Sequence, residues 1–212
     1  MPGPTEVQQA RRDNGPLTDR GAARKRELLD AARRVFERKG FIETRVRDVV
    51  KEAQVSHGTF YTYFDTKEAI FSAVAHDVVD SMLASMATPI PTTGFDERIR
   101  DLVRRFVHAY RPHAQMIGLI EQVGTFSPEM RELRLDIRDT FVRRTRRGIT
   151  RMASSGMLAD PDIDVEYTAE VLGAMLEYSC YLWFCLDKNF DEDRLVEALA
   201  TVWRKTLRSG QR

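Results

Sequence analysis

Residues 45–64 read RVRDVVKEAQVSHGTFYTYF, and this stretch decides the fold. Val46, Val49 and Val50 recur at helical spacing, so the first half is a short helix with one apolar face. Gln54 and Val55 then make a tight turn. Ser56 is placed to cap a second short helix over 57–64, its hydroxyl accepting from amides of the first turn. At ~100° per residue, Phe60 and Phe64 fall together and anchor this helix. The opposite face is centred on Gly58 and Thr62 and is flanked by His57, Thr59, Tyr61 and Tyr63. Two short helices joined by a tight turn, the second exposing hydrogen-bonding groups, form the pattern of a helix-turn-helix that enters a DNA groove. A glycine inside so short a helix costs about 1 kcal/mol relative to alanine. Close approach of the backbone to a groove floor gives it a reason.

Outward from this stretch the chain reads all-α. A helix is expected over about 18–39, with Leu28, Ala32, Val35 and Phe36 on one face. Gly40 stands where a left-handed C-cap belongs, and Phe41 can pack back over the last turn. Thr44 is the expected N-cap of the helix beginning at Arg45. Asp65 and Glu68 read as a capping box for a fourth helix reaching about Ala87. Beyond it, Pro89, Pro91, Pro112, Pro128 and Pro161 punctuate the chain, because proline disrupts helix interiors. Helices are expected over about 95–111, 114–123, 128–155, 163–186 and 191–208, with Ser127 as a cap and Pro128 at the first position of its helix. No run alternates as a strand would.

The chain has 212 residues, enough for one large or two small domains. Its 33 Lys and Arg nearly balance 32 Asp and Glu, which excludes a bulk polycation or an acidic tail. The balance is uneven along the chain. From Met1 to Arg47 twelve cations face seven anions, a net of +5 against +1 overall. A basic front end suits a nucleic-acid partner. With 42% hydrophobic residues the chain can bury a core, and two cysteines exclude a disulfide framework. The N-terminus lacks the apolar segment of a signal peptide. The longest apolar run, residues 171–186, is interrupted by Glu177 and falls short of the ~20 residues that span a bilayer. A cytoplasmic protein without a membrane partner is expected.

The segments AARRVFERKGF, VRDVVKEAQVS, HGTFYTYF and DTKEAIF follow one another between Glu27 and Ser72. This stretch, which includes Gly40, Gly58, Tyr61, Phe64 and Lys67 at characteristic intervals, resembles the DNA-binding domain of the TetR family of repressors. The resemblance implies a homodimer joined through the last two helices, a palindromic double-stranded DNA operator, and a helical ligand-binding domain. It divides the chain into an N-terminal arm (1–17), a three-helix DNA-binding domain (18–65), a connecting helix (66–88), and a larger ligand-binding and dimerisation domain (89–212). Phosphate contacts are implied for Thr44, Ser56, Tyr61, Tyr63 and Lys67. Base contacts are implied for Arg45, His57, Gly58 and Thr62, with Thr59 between the groups. Two positions depart from the family pattern. Arg45 replaces a small hydroxyl residue. Gln54 replaces a glycine, which puts left-handed backbone on a residue that tolerates it less well. The expected function is repression relieved by a hydrophobic small molecule. The alternative is a constitutive or partner-regulated DNA-binding protein with a closed, fully packed C-terminal core.

Candidate ligand-lining residues are Phe106, Tyr110, Met116, Phe141, Met175 and Tyr178, since aromatic and Met side chains suit a roomy apolar pocket. The 163–186 helix is apolar on nearly every side and needs a partner, for which the last helix, with Trp203 and Leu207, is the candidate. Arg131, Arg134, Arg138, Arg143, Arg144, Arg146, Arg147 and Arg151 read as a solvated face paired within the helix to Glu132, Asp136 and Asp139. The alternative is an anion site. Arg11, Arg12 and Arg20 read as solubilising charge rather than a groove contact. Cys180 and Cys185 read as core, and His108 and His113 carry no metal-binding or catalytic pattern. No motif calls for a cofactor, a metal or an enzyme activity.

Overall fold

The computed structural model describes residues 19–88, 94–158 and 162–208, and these residues form helices and no strands. In chain order the helices are α1 (Asp19–Glu43), α2 (Val46–Glu52), α3 (His57–Tyr63), α4 (Lys67–Ser85), α5 (Phe95–Tyr110), α6 (Ala114–Val123), α7 (Pro128–Ser154), α8 (Val165–Phe184) and α9 (Glu192–Leu207). One turn of 3-10 helix at Arg111–His113, containing Pro112, links α5 to α6. The N-terminal arm with Arg11 and Arg12, and the expected breaks at Pro89, Pro91 and Pro161, lie outside the described residues.

Side-chain caps set most of the starts. Ser56 accepts from the Thr59 amide at 3.1 Å, and Ser127 from the Met130 amide at 3.2 Å. Asp164 and Asp191 do the same for α8 and α9. Two expected caps are displaced by one residue. The α4 cap is Thr66, whose hydroxyl accepts from Ala69 at 3.0 Å, and not Asp65. Arg45, not Thr44, is the N-cap of α2, and the Asp48 carboxylate accepts from the Arg45 amide at 3.0 Å. Thr44 is buried instead, and its hydroxyl donates to the Gly40 carbonyl at 2.6 Å. Gly40 itself has φ 76 and ψ 169. Its φ is positive as expected, but its ψ is extended, in a region almost confined to glycine. The run assigned to α1 therefore bends at Gly40.

Leu28, Ala32, Val35 and Phe36 of α1 are buried, and α1 packs against α2 and α4. The Phe71 ring meets Phe36 edge-on at 5.0 Å and Phe41 at 4.8 Å, so Phe41 does pack back against the bundle. From this bundle α4 runs into the rest of the molecule. Lys67 to Met82 spans about 22 Å at 1.5 Å per residue. In the larger layer, α5 lies along α9 and α7 along α8, while α6 packs against α1, α4, α7 and α8. Arg33 of α1 donates to the Pro112 carbonyl at 3.1 Å and ties the first bundle to the α5–α6 corner.

Trp203 and Leu207 are buried within the chain and so do not supply an exposed partner surface. On α8 and α9 the exposed large apolar side chains are Tyr167, Val171 and Tyr178 of α8 and Val202 of α9. The α8 residues fall at intervals of four and seven, a single stripe along the helix.

Candidate nucleic-acid interface and effector cavity

Helix α3 holds the hydrogen-bonding face. Phe60 and Phe64 are buried beneath it, with ring centroids 6.0 Å apart. His57, Gly58, Tyr61 and Thr62 are exposed, while Thr59 and Tyr63 are half-buried. Ser56 Oγ lies 2.9 Å from Thr59 Oγ1, and Thr62 donates to the Gly58 carbonyl at 3.0 Å. A Cβ added at Gly58 would meet only Ser56 Oγ, at 3.7 Å. The fold therefore has room for a side chain there. Gln54, in the turn before α3, has φ 53, the left-handed geometry expected on a residue without glycine's freedom.

Two expected contact residues are engaged elsewhere. The Thr44 side chain is buried, so it braces the α1–α2 corner and does not face solvent. The Lys67 ammonium donates to the Phe41 carbonyl at 2.9 Å and sits 4.2 Å from the Phe41 ring centre. Both groups close the corner made by Gly40. Arg45 is exposed.

Much of the basic front end is compensated. Arg34 and Arg38 pair with Glu52, Lys39 with Asp48, Arg26 with Asp77, Arg24 with Glu27, and Arg33 with Glu37. The guanidinium groups of Arg34 and Arg38 hold the Glu52 carboxyl below the usual carboxylate range. Lys39 and the Arg45 amide do the same for Asp48. Arg45, Arg47 and Lys51 make no ion pair among the described residues. Uncompensated positive charge is thus gathered on α2, beside the exposed face of α3.

Within the larger layer a cavity of about 450 Å³ opens between α4, α5, α6, α7 and α8. Four of the six expected residues line it: Phe106, Tyr110, Phe141 and Tyr178. Met116 and Met175 lie outside its lining, because Met116 is wholly buried in the core and Met175 packs against it. Phe106 and Phe141 meet edge-on at 5.8 Å. Burial pushes the Tyr110 phenol far up. Val79 and Met82 bring α4 to the cavity wall.

The cavity also holds a polar group missed in the sequence. Glu121, Arg134, Arg138 and Glu177 line it. Arg138 pairs with Glu177 at 3.0 Å and with Glu170 at 3.0 Å, and Arg134 pairs with Glu121. Glu177 Oε1 is buried without a hydrogen-bond partner. Burial pushes the Glu177 carboxyl up to about 7, against the opposing pull of Arg138. The interruption of the apolar run by Glu177 was the available signal.

A second cavity of about 660 Å³ shares Phe106, Phe141 and Glu177 with the first. Arg143, Arg144, Arg147 and Arg151 surround it, and Trp203 lines it. The α7 arginines do not pair with Glu132, Asp136 or Asp139 in their own helix. Arg146 reaches Glu166 at 2.7 Å, and Arg144 donates to the Met86 carbonyl at 2.8 Å. These two strap α7 to its neighbours, whereas Arg143 donates to Thr140 within α7 at 2.8 Å.

His108 binds Glu192 at 2.7 Å, and no metal-holding cluster occurs among the described residues. Cys180 is buried and Cys185 half-buried, its thiol donating to the Ala114 carbonyl at 3.2 Å. No helix among the described residues is long and apolar enough to cross a membrane.

Residues 28–74 match the family profile described as bacterial regulatory proteins, tetR family. The matched segment contains α2, α3 and the turn between them. This segment is thus that of a TetR-family DNA-binding domain, and the chain is similar to DNA-binding transcriptional regulators of that family. It is 26% identical over 210 residues to the HTH-type transcriptional regulator EthR of Mycolicibacterium smegmatis, covering 96% of this chain and 95% of that one. It is 30% identical over 118 residues to the HTH-type regulator YfiR of Bacillus subtilis, covering 56% of this chain but only 46% of YfiR. Its fold matches a TetR-family regulator from Syntrophomonas wolfei with a TM-score of 0.74 at 20% identity, covering 87% of this chain and 94% of that one.

Proposed function

We propose that this chain is a TetR-family repressor that binds a palindromic operator as a homodimer and is released by a small apolar molecule. Helices α1–α3 form the DNA reader, α4 connects, and α5–α9 sense the ligand and dimerise. His57, Gly58 and Thr62 of α3 read base edges, joined by Arg45 at the start of α2, while Ser56, Tyr61 and Tyr63 hold phosphates. Thr59 stands between the two groups. The stripe of Tyr167, Val171 and Tyr178, with Val202, meets its copy across the two-fold axis, since it is otherwise an exposed apolar patch.

The observation that carries the release mechanism is the double attachment of α4. Its first half packs in the DNA-reading bundle through Ile70 and Phe71, and its second half lines the cavity through Val79 and Met82. A ligand that fits one arrangement better shifts the population toward it and carries α4 along. The two recognition helices must sit about 34 Å apart to enter successive major grooves. A displacement of a few ångströms then lowers affinity. The cavities favour this reading over the constitutive alternative, which calls for a packed core.

Selection of bound DNA from random sequence, followed by titration of the selected site with and without a co-purified ligand, tests the proposal. A palindromic site whose affinity falls on ligand addition is expected. An asymmetric site, or affinity indifferent to saturating ligand, overturns it. Tyr61→Phe should weaken specific and nonspecific binding to similar extents, by about 0.5–1.5 kcal/mol for a lost neutral hydrogen bond. Binding should also fall steeply with salt, because several phosphates are neutralised.

A further inference from the structure

The cavity between α4 and α8 is not simply apolar, since Glu121, Arg134, Arg138 and Glu177 line it. Arg138 also pairs with Glu170, which lies outside the lining, so the ion-pair cluster as a whole sets three carboxylates (Glu121 of α6, Glu170 and Glu177 of α8) against two guanidinium groups (Arg134 and Arg138 of α7). Arg138 is shared between Glu170 and Glu177, so it neutralises at most one of them. The cluster is left one charge negative when all five groups are ionised. Glu177 meets Arg138 through one carboxylate oxygen, while its Oε1 is buried without a partner at the cavity wall. A buried carboxylate oxygen of this kind is costly unless a donor reaches it. The walls beside it are aromatic, with Phe106, Phe141 and Tyr110 on one side and Tyr178 and Tyr181 on the other. The Tyr178 and Tyr181 rings stack with centroids 6.1 Å apart and planes inclined by 24°. Aromatic faces attract cations and bury apolar bodies alike.

We propose that this cavity takes an amphipathic organic cation, an apolar body carrying a protonated amine, and that the ammonium group donates to Oε1 of Glu177. The amine supplies the missing positive charge and the missing donor together. The apolar body lies between the aromatic walls, in a space of about 450 Å³, within the range of small-molecule sites. The inference rests on the cavity being the effector site and names the chemistry that site selects. The raised titration of Glu177 is in keeping with it, because burial, helped by the neighbouring Glu121 and Glu170 carboxylates, disfavours its charged form while no cation reaches it.

Three probes of one shape separate the classes: phenylbutylamine, phenylbutanol and phenylbutyrate. Their binding to the full-length, DNA-free protein is measured by calorimetry at about pH 8, where Glu177 is ionised and the amine protonated. The amine is expected to bind at least about tenfold more tightly than the alcohol, as a charge-assisted hydrogen bond would give. The carboxylate is expected to bind weakest. In Glu177→Gln the preference for amine over alcohol should collapse. Amine affinity in the wild type should fall between about pH 8 and pH 6, as the carboxylate becomes protonated.

Equal binding of amine and alcohol, tightest binding by the carboxylate, or no binding by any probe at millimolar concentration overturns the inference. So does a Glu177→Gln variant that keeps the amine preference. The wild-type series needs no variant, so a misfolded substitution does not spare the proposal. Because no operator enters the measurement, the inference can fail while ligand-induced release stands, and release can fail while amine binding stands.

Discussion

Gly40 and Gln54 both hold positive φ, yet their substitution should act in opposite directions. At Gly40, φ 76 with ψ 169 suits almost no other residue, although nothing lies within 4 Å of an added Cβ. The strain of Gly40→Ala is therefore in the backbone alone and should cost about 1–3 kcal/mol, read by urea unfolding. At Gln54, φ 53 is ordinary left-handed backbone carried by an L side chain. Gln54→Gly should raise stability by up to about 1 kcal/mol, part of the strain relief being offset by the freer unfolded chain. A loss of stability in that variant would count against the assigned turn. These residues show which features a sequence makes visible. Gly40 and Gln54 answer to the chain's own sterics, so their positive φ was legible. The identity of the α2 cap was not, because Thr44 and Arg45 are adjacent and only packing decides that the threonine turns inward.

At the scale of the element, α3 separates folding from recognition. A methyl at Gly58 meets only Ser56 Oγ, so Gly58→Ala should stabilise the helix by up to about 1 kcal/mol. If α3 docks as proposed, the same substitution should weaken operator binding and Gly58→Leu should abolish specific binding, because the added side chain would stand between α3 and the groove floor. A Gly58→Leu protein that folds and keeps operator affinity would remove α3 from the groove. The face of α3 was readable because a short amphipathic helix follows its 3.6-residue period. The partners of α7 were not. Its arginines and acidic residues fit intrahelical spacing, yet Arg134, Arg138 and Arg146 reach α6 and α8 instead. Long side chains choose among all the carboxylates within reach, and those on other helices are set by tertiary packing.

For the molecule as a whole, Glu177 links stability to pH. Its carboxyl is pushed from the usual 4.5 up to about 7. Between these values the folded protein holds a proton that the unfolded chain gives up. The associated stability is full below about 4.5 and is lost as pH rises through about 7. Other groups, including the half-buried His113 with its lowered value, titrate in part of this window. The informative quantity is therefore the difference between wild type and Glu177→Gln. That difference in unfolding free energy should decline by on the order of 1–3 kcal/mol from about pH 4.5 to about pH 8, measured by urea titrations across the range. A pH-independent difference would show that Glu177 is not desolvated. Four of six expected cavity residues were legible because aromatics on the inner faces of α5, α7 and α8 converge there. Met116 and Met175 were not separable from them, since hydrophobicity alone does not distinguish a core from a cavity wall. Nor did composition locate the uncompensated charge, because most α1 cations are already paired.

The chain has two tryptophans, and their surroundings differ. Trp203 is buried, 2% exposed, and lines the second cavity, whereas Trp183 is half-buried, stacks on Phe184 at 4.5 Å and lies beside the Arg111 guanidinium. The first should emit in the blue and resist aqueous quenchers, and the second should emit further to the red and be quenched. The protein thus carries two intrinsic optical probes, one against the cavity that shares a wall with the proposed effector site and one at the end of α8. If the larger layer takes a ligand as proposed, its occupancy should be readable in the native protein by light emission, without a dye or a label.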